Sequence, residues 1–564
     1  MRLTALLAAA ACQSSDGTSS TLPPCTSGTA LNLAVAAYTA VDPGTNSGCI
    51  VLAAATSSGA REYLLVPQSA SGTPNDTQSF KLQAGSIMAA SLAGQVIAPQ
   101  GAPAPLSPAE QFHLFLRRAE RARSYPVPPR RGPKAGAQPA QLAPLTITPI
   151  DSGVKDTFKV CGNLKCDTLP KVVATAQKVG QHIAIFVDDS APLGGLTQTD
   201  LGALRAVFDT QLYDVDTTAF GRESDIDSNG VVIVLMTNKV NKLVTNAQCT
   251  LSGFIAGYFF GADIDPVFRT KYNNAEIFYS IVADPIGTLS CTHTASQVRR
   301  LVPVTFVHEF QHMISYNQHV LKRPGEAEIL WLNEALSHYA EERGGRSFLP
   351  ADTATFCNYV VGDLFNSAAY DTAPGNHFLV DTAGVGGLAE RGAYWLFLHY
   401  LIDQFAADTS LVAADAFTRA LDQTLATGVT NVQNASGGTP FPTLVERWSL
   451  ANYVSDLPGF SAPPELQYKL WRFRTDYGVL HNRCPNPSSN MPPNPNIPAT
   501  FPLVPSVGAG SAVSLSGLLR AGSGTYHRAL QNAGAQGFTL LFSDAAGRAL
   551  RASAVPRLNV IRIQ

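Results

Sequence analysis

Charge is scarce in this 564-residue chain: charged residues make up only 15% of it, and the 40 Lys and Arg nearly cancel the 42 Asp and Glu. A net charge of −2 leaves no basic excess to hold phosphates, so nucleic acid is not expected as a partner. Beyond a short apolar run near the N-terminus, no segment has the length and continuity of a membrane-spanning helix. The cysteines show no paired C-x-x-C spacing, which removes a structural zinc ribbon from consideration. No long-period repeat is present, which argues against solenoids and propellers. What remains is a chain with 45% apolar residues, long enough for roughly three domains with substantial cores.

The N-terminus reads as a targeting segment. Arg2 precedes the apolar run Leu3 to Ala11, which is too short to span a bilayer. Small residues directly before Cys12 resemble a bacterial lipoprotein signal, with Cys12 as the acylated residue and Gln13 to Ser20 as a tether. The expected location is therefore the cell envelope or, by plain secretion, the medium; any membrane contact would run through that anchor. Setting Cys12 aside leaves eight cysteines, an even number that suits four disulfides in an exported chain. Joining neighbours gives Cys25–Cys49, Cys161–Cys166, Cys249–Cys291 and Cys357–Cys484. Of these, Cys161–Cys166 is the best supported, because Gly162-Asn163 can turn the chain between them.

The chain divides visibly. After residues 1–24, residues 25–100 alternate short β-rich runs (Ile50 to Ala54, Glu62 to Val66, Ser79 to Leu82) with Gly/Ser/Thr turns, as in a small β-sandwich. Residues 101–144 hold a basic helix, about Ser107 to Arg123, and a stretch rich in Pro and Arg (Pro126, Pro128, Pro129, Arg130, Arg131, Pro133). That stretch reads as an interdomain spacer or as the boundary of a removable prosegment. Residues 145–484 form the largest region, with strands at His182 to Val187 and Val231 to Met236, a helix at Leu196 to Leu212, and strand character over Asn274 to Ala283. A Pro/Asn-rich linker, 485–502, leads to a last β-rich region, 503–564, with runs Phe538 to Phe542 and Leu558 to Ile563. The expected class is multidomain α+β, with a small β-domain on each side of the central region.

Within that central region, His308-Glu309-Phe310-Gln311-His312 is the most informative segment. Residues four apart lie on one helix face, so His308 and His312 can both offer ring nitrogens to one Zn²⁺. Glu309 projects beside them, where it can take a proton from a metal-bound water. The bland reading is an amphipathic helix with two surface histidines. A third protein ligand is needed, and Glu334 in Trp331-Leu332-Asn333-Glu334-Ala335-Leu336-Ser337-His338-Tyr339-Ala340-Glu341 is the best candidate. Glu326 and Glu328 are rivals in a loop after Pro324-Gly325, and a helix-dipole role is the alternative for Glu334 itself. The spacing H-E-x-x-H-x-x-G-x-x-H is not met, because Ser315 and Gln318 stand at the required positions and His319 comes one residue late.

Together these two segments resemble the gluzincin metallopeptidases, and their wording, H-E-F-Q-H-M-I followed by W-L-N-E-A-L-S-H-Y-A-E, is similar to the hyicolysin family. That resemblance implies a gluzincin-type domain, one Zn²⁺ per chain held by His308, His312 and Glu334, Glu309 as catalytic base, and hydrolysis of peptide bonds in proteins or peptides. One departure stands out. The thermolysin-like branch has an Asp four residues after the glutamate ligand to orient a zinc histidine, where this chain has His338. His338 and Asn333 are therefore the candidates for support behind the ligands. The resemblance also places an extended substrate along an edge strand at Asn274, Ala275 and Glu276 through Ser280. For the oxyanion, Tyr394, His399, His377 and Tyr316 all remain candidate donors.

Two further readings stay open. Asp225, Asp227 and Asn229 have a spacing that could present oxygens to Ca²⁺, although a polar turn entering a strand explains them equally well. The chain could also be a latent or inactive surface-anchored binding protein on a peptidase fold. The intact ligand and base residues argue against that.

Overall fold

The computed structural model describes residues 21–23, 25, 30–85, 106–123, 149–382 and 387–564. The chain begins with β1 (Ala30–Leu31), β2 (Tyr38–Val41), β3 (Cys49–Leu52), β4 (Arg61–Ser69) and β5 (Thr77–Ala84). A helix, Pro108–Ala122, follows. The central region holds β6 (Lys155–Lys159), β7 (Lys171–Val179), β8 (Ile183–Asp188), β9 (Val232–Met236), β10 (Gly257–Phe259) and β11 (Ile277–Ser280). The chain closes with β12 (Ser506–Ala509), β13 (Ser514–Arg520), β14 (His527–Gln531), β15 (Phe538–Ser543) and β16 (Pro556–Arg562).

The central six strands form one sheet, ordered β10-β11-β9-β8-β7-β6. Its core, β8, β9 and β11, is parallel, and its apolar runs are buried along their length. A long helix carrying the histidine motif lies against it, and a second helix carrying the glutamate packs on the first. Helix Ala295–Tyr316 starts at a reciprocal cap, in which Thr294 Oγ1 accepts from Gln297 N and Gln297 Oε1 accepts from Thr294 N. Its last ten residues, from Val307 on, are all buried, with Phe306 tilted against Phe278 of β11. Helix Leu330–Arg346 is buried over nearly its whole length, between helices Ala295–Tyr316, Thr353–Thr372 and Leu388–Phe405.

The two β-rich ends do not form separate domains, contrary to the expectation from sequence. Their strands interleave into two five-stranded sheets, β1-β3-β15-β5-β13 and β12-β14-β4-β16-β2. A shared apolar core lies between the sheets, drawing Leu52, Leu65, Phe80 and Leu82 from one end of the chain and Leu515, Leu540, Phe542 and Val560 from the other. The opposite face of β4 carries Leu64 and Val66 into the main core, which is why β4 is buried at every position. One sandwich made from both ends therefore packs on the central region. Neither half of a sheet has a complete core alone, and this favours interleaving over two small independent domains.

Four disulfides join neighbours along the chain: Cys25–Cys49, Cys161–Cys166, Cys249–Cys291 and Cys357–Cys484. The Cys12 signal and the Pro/Arg stretch at 126–133 lie outside the described residues. Among those described, no helix is long and apolar enough to cross a membrane.

Candidate metal centre

Helix Ala295–Tyr316 places His308 and His312 one turn apart, with their Nε2 atoms 3.2 Å from each other. Glu334, from the next helix, puts Oε1 3.3 Å from His312 Nε2 and Oε2 3.8 Å from His308 Nε2. A tetrahedral zinc with ligands at about 2.0–2.1 Å needs donor atoms separated by about 3.3–3.4 Å, so these three residues fit such an ion. With both lone pairs turned inward, two imidazole nitrogens at this distance repel, and a cation between them would relieve the repulsion. Glu334 Oε2 is also buried without a hydrogen-bond partner. A fourth donor joins them: His113, on helix Pro108–Ala122, sets its Nε2 2.5 Å from Glu334 Oε1. All four donor atoms lie within 4.8 Å of one another.

The charge states suit metal ligation. Burial pushes the His312 ring well below the usual imidazole range and lowers His113 to about 3, although Glu334 opposes the shift of His113. A neutral ring is the form that can offer a lone pair. Burial works against ionisation of Glu334, but His113 and His312 outweigh it and hold the carboxyl well below its ordinary value.

Behind the ligands stands a second set of side chains. His308 Nδ1 faces Glu341 Oε1 at 2.7 Å, which leaves Nε2 as the ligating nitrogen. His338 packs edge-on against the His308 ring, 5.0 Å between centroids, and braces Glu341 at 3.3 Å and Asp363 at 2.9 Å. Burial would lower His338, but Glu341 and Asp363 raise it to about 10, while burial pushes Asp363 itself well above the usual carboxyl range. The orienting acid is therefore three residues further along than the His338 comparison suggested, nearly a full turn on the same helix face. Asn333 is buried, but its Oδ1 has no hydrogen-bond partner, so it adds no visible support through that atom.

Glu309 is buried, and burial pushes its carboxyl up, with His308 the chief opposing influence. Its Oε2 accepts from the backbone N–H of Phe259 at 2.9 Å, which ties the base to β10. β10 is the edge of the sheet on this side, and this corrects the placement at Asn274, Ala275 and Glu276. β11 is flanked by β10 and β9, and of residues 274–280 only these last four have strand pairing. Glu276 is buried and accepts from Ser224 and from Ile226 N, so it faces a turn and no open groove.

The rival ligands fall away. Glu326 is exposed and pairs with Arg121, and Glu328 accepts from Ile329 N, Gly428 N and Asn431. Of the four oxyanion candidates, Tyr394 lies beside the centre, in a small cavity it shares with His113, Glu334 and Arg391. Its hydroxyl donates to Asp381. His399 is committed to Glu342, His377 to Glu390, and Tyr316 to Asp265. Arg391, whose Nε is 3.8 Å from Glu334 Oε2, was not singled out in the sequence and is the nearest cation to the centre in this cavity.

Asp225 and Asp227 do come together, with Glu276 as their third partner, but their oxygens serve the turn into β9. Asp225 Oδ1 accepts from Gly230 N, Asp227 Oδ1 from Asn229 N, and Asn229 Oδ1 from Val231 N. Burial raises Asp227 to about 6 and Glu276 to about 7.

No family model matches this chain. Over 180 residues, 32% of its length, it is 26% identical to the neutral metalloprotease ShpI of Staphylococcus hyicus. The match spans 38% of that protein, well under two thirds of its length. It supports a relationship to metalloproteases, in agreement with the cluster of His113, His308, His312 and Glu334.

Proposed function

We propose that this chain is an exported zinc-dependent endopeptidase of the gluzincin kind, closest to the hyicolysin family. The observation that carries the reading is the convergence of His308, His312 and Glu334 at tetrahedral spacing, with Glu309 buried on the same turn. When bound, zinc supplies Lewis-acid polarisation of a water and of the scissile carbonyl. The rest falls to the chain's own residues. Glu309 accepts a proton at the oxygen not held by Phe259 N and returns it to the leaving amine; its raised affinity for protons suits both steps. Glu341 fixes the tautomer and direction of His308, and His338 with Asp363 fixes Glu341. An extended peptide would pair with β10. Its Phe259 N and O point away from β11, because Ile281 N bonds Ala256 O and antiparallel pairs alternate. Tyr394 and Arg391 are the groups nearest the place where negative charge would develop.

The test compares the intact chain with Glu309→Gln. Both should hold one zinc, while chelator-sensitive casein cleavage, however slow in the intact chain, should fall in the variant by about 10²- to 10⁴-fold. Unchanged cleavage in Glu309→Gln at full zinc content would sink the scheme, and so would a wild type that binds no metal.

A further inference from the structure

We propose that helix Pro108–Ala122 is an intramolecular inhibitor of the metal centre, with His113 closing the coordination sphere, Arg117 occupying the peptide-binding edge of β10 and Glu120 the backbone just beyond that strand. The proposal rests on the peptidase reading above. His113, Arg117 and Glu120 stand at i, i+4 and i+7, one face of the helix. Along that face the contacts run from the centre to the strand. His113 Nε2 lies among the three ligands, 2.5 Å from Glu334 Oε1. Arg117 Nη2 donates to Phe259 O at 3.0 Å, and Glu120 Oε1 accepts from Gly261 N at 2.9 Å. Phe259 O is an outward-pointing group of the edge strand, the kind an extended peptide backbone would otherwise meet. One helix thus covers both the metal and the strand.

Chemistry sharpens the point at His113. A catalytic zinc keeps three protein ligands and an open position, whereas four protein ligands make a closed site. Three histidines and a glutamate whose donor atoms lie within 4.8 Å of one another supply the residues for a closed set, with His113 resting against Glu334 Oε1. The helix is also firmly seated. Phe112 meets Tyr258 edge-on at 5.0 Å, Leu116 and Ala119 enter the main core, and Leu114 packs on Leu330. Arg121 bonds Ala327 O and Glu326, and Arg123 bonds Asp265. Because β1–β5 precede the helix and pair with strands from the far end of the chain, a backbone cut beyond Arg123 would leave the inhibitor attached. Activity is released when the helix is displaced.

The experiment loads the full chain with Co²⁺ and records its visible spectrum with and without acetohydroxamate, for wild type, His113→Ala, and the double variant Arg117→Met/Glu120→Gln. Zinc-loaded samples are assayed on casein in parallel. The wild-type spectrum should be that of a four-coordinate closed site and should not respond to acetohydroxamate. His113→Ala should respond and should cleave casein about tenfold faster or more. The double variant retains His113 and keeps the assay informative should His113→Ala misfold; it should show a partial response and an intermediate rate. A wild type that responds to acetohydroxamate as fully as His113→Ala would overturn the proposal. So would a His113→Ala variant that cleaves more slowly at full metal content, which would make His113 a group that acts on substrate. Absence of cobalt from wild type and variants alike would instead bring down the peptidase reading on which this one stands.

Discussion

Helix Leu330–Arg346 carries two buried carboxylates, Glu334 and Glu342, each surrounded by histidine and aromatic side chains, and the two clusters are finished differently. Around Glu342 every acceptor is used: Arg346 Nε and Trp471 Nε1 donate to Oε1, while His399 Nε2 and Trp395 Nε1 meet Oε2. Around Glu334, Oε2 is left without a partner and two histidine nitrogens face each other. Composition alone would not separate the two. A saturated carboxylate is scaffold, and an unsaturated one, with neighbouring donor atoms aimed at a common point, is built for something additional.

The sharpest way to break this contrast is to exchange the damage. His312→Ala should lose the metal and chelator-sensitive cleavage together while the fold persists, read by elemental analysis and circular dichroism. Glu342→Ala should retain zinc but lose about 3–5 kcal/mol of stability, because Arg346 would be left buried without its counter-charge and His399 without its hydrogen-bond partner. Comparable metal loss in both variants would erase the distinction.

Acid supplies a second contrast. Burial would raise Glu342, but His399 and Arg346 outweigh it and hold the carboxyl at about 2. Its folded value lies below the ordinary 4.5, so its contribution is complete above pH 4.5 and disappears as pH falls to about 2. Denaturation midpoints measured over that window should fall less steeply in Glu342→Gln than in wild type.

How much of this was legible in the sequence follows the range of the interactions. His308, Glu309 and His312 sit within one helical turn, so their geometry is fixed locally, and Glu334 was found because a tetrahedral site lacked a ligand. His113 was not visible as a ligand, being a single histidine in a basic helix far from the motif in sequence. Glu341 was hidden behind the expectation attached to His338. β10 has only three residues and gave no periodic signal, whereas the apolar run at Ile277 is strong because both of its neighbours bury it. The disulfides followed chain order, but the interleaved sandwich did not, since strand propensity says nothing about which distant strand becomes the partner.

A gentler probe is Glu341→Gln, which keeps the shape but weakens the hold on His308. It should lower metal affinity by about 10- to 100-fold, measured by competition with a chelator, without changing the melting midpoint of the metal-free protein to the same degree as Glu342→Ala. The smallest effect is expected at Asp225 and Asp227, whose oxygens the turn already occupies. Millimolar Ca²⁺ should leave the melting midpoint unchanged, and a clear upward shift would place that turn with the unsaturated cluster.

The sandwich also has a history in time. Leu65 of β4 lies opposite His527 on one side and Val560 on the other, so the strand made early waits for partners made last. At about 5–20 residues per second, roughly 490 residues of further synthesis keep it waiting about 25 to 100 s. During that interval the central domain, whose strands lie close together in sequence, can complete itself. A ribosome-bound chain stopped short of Ser506 should therefore show a protected centre and a protease-sensitive N-terminal sheet. For a cell making this protein, the vulnerable moment lies in keeping a finished strand single until its mates arrive.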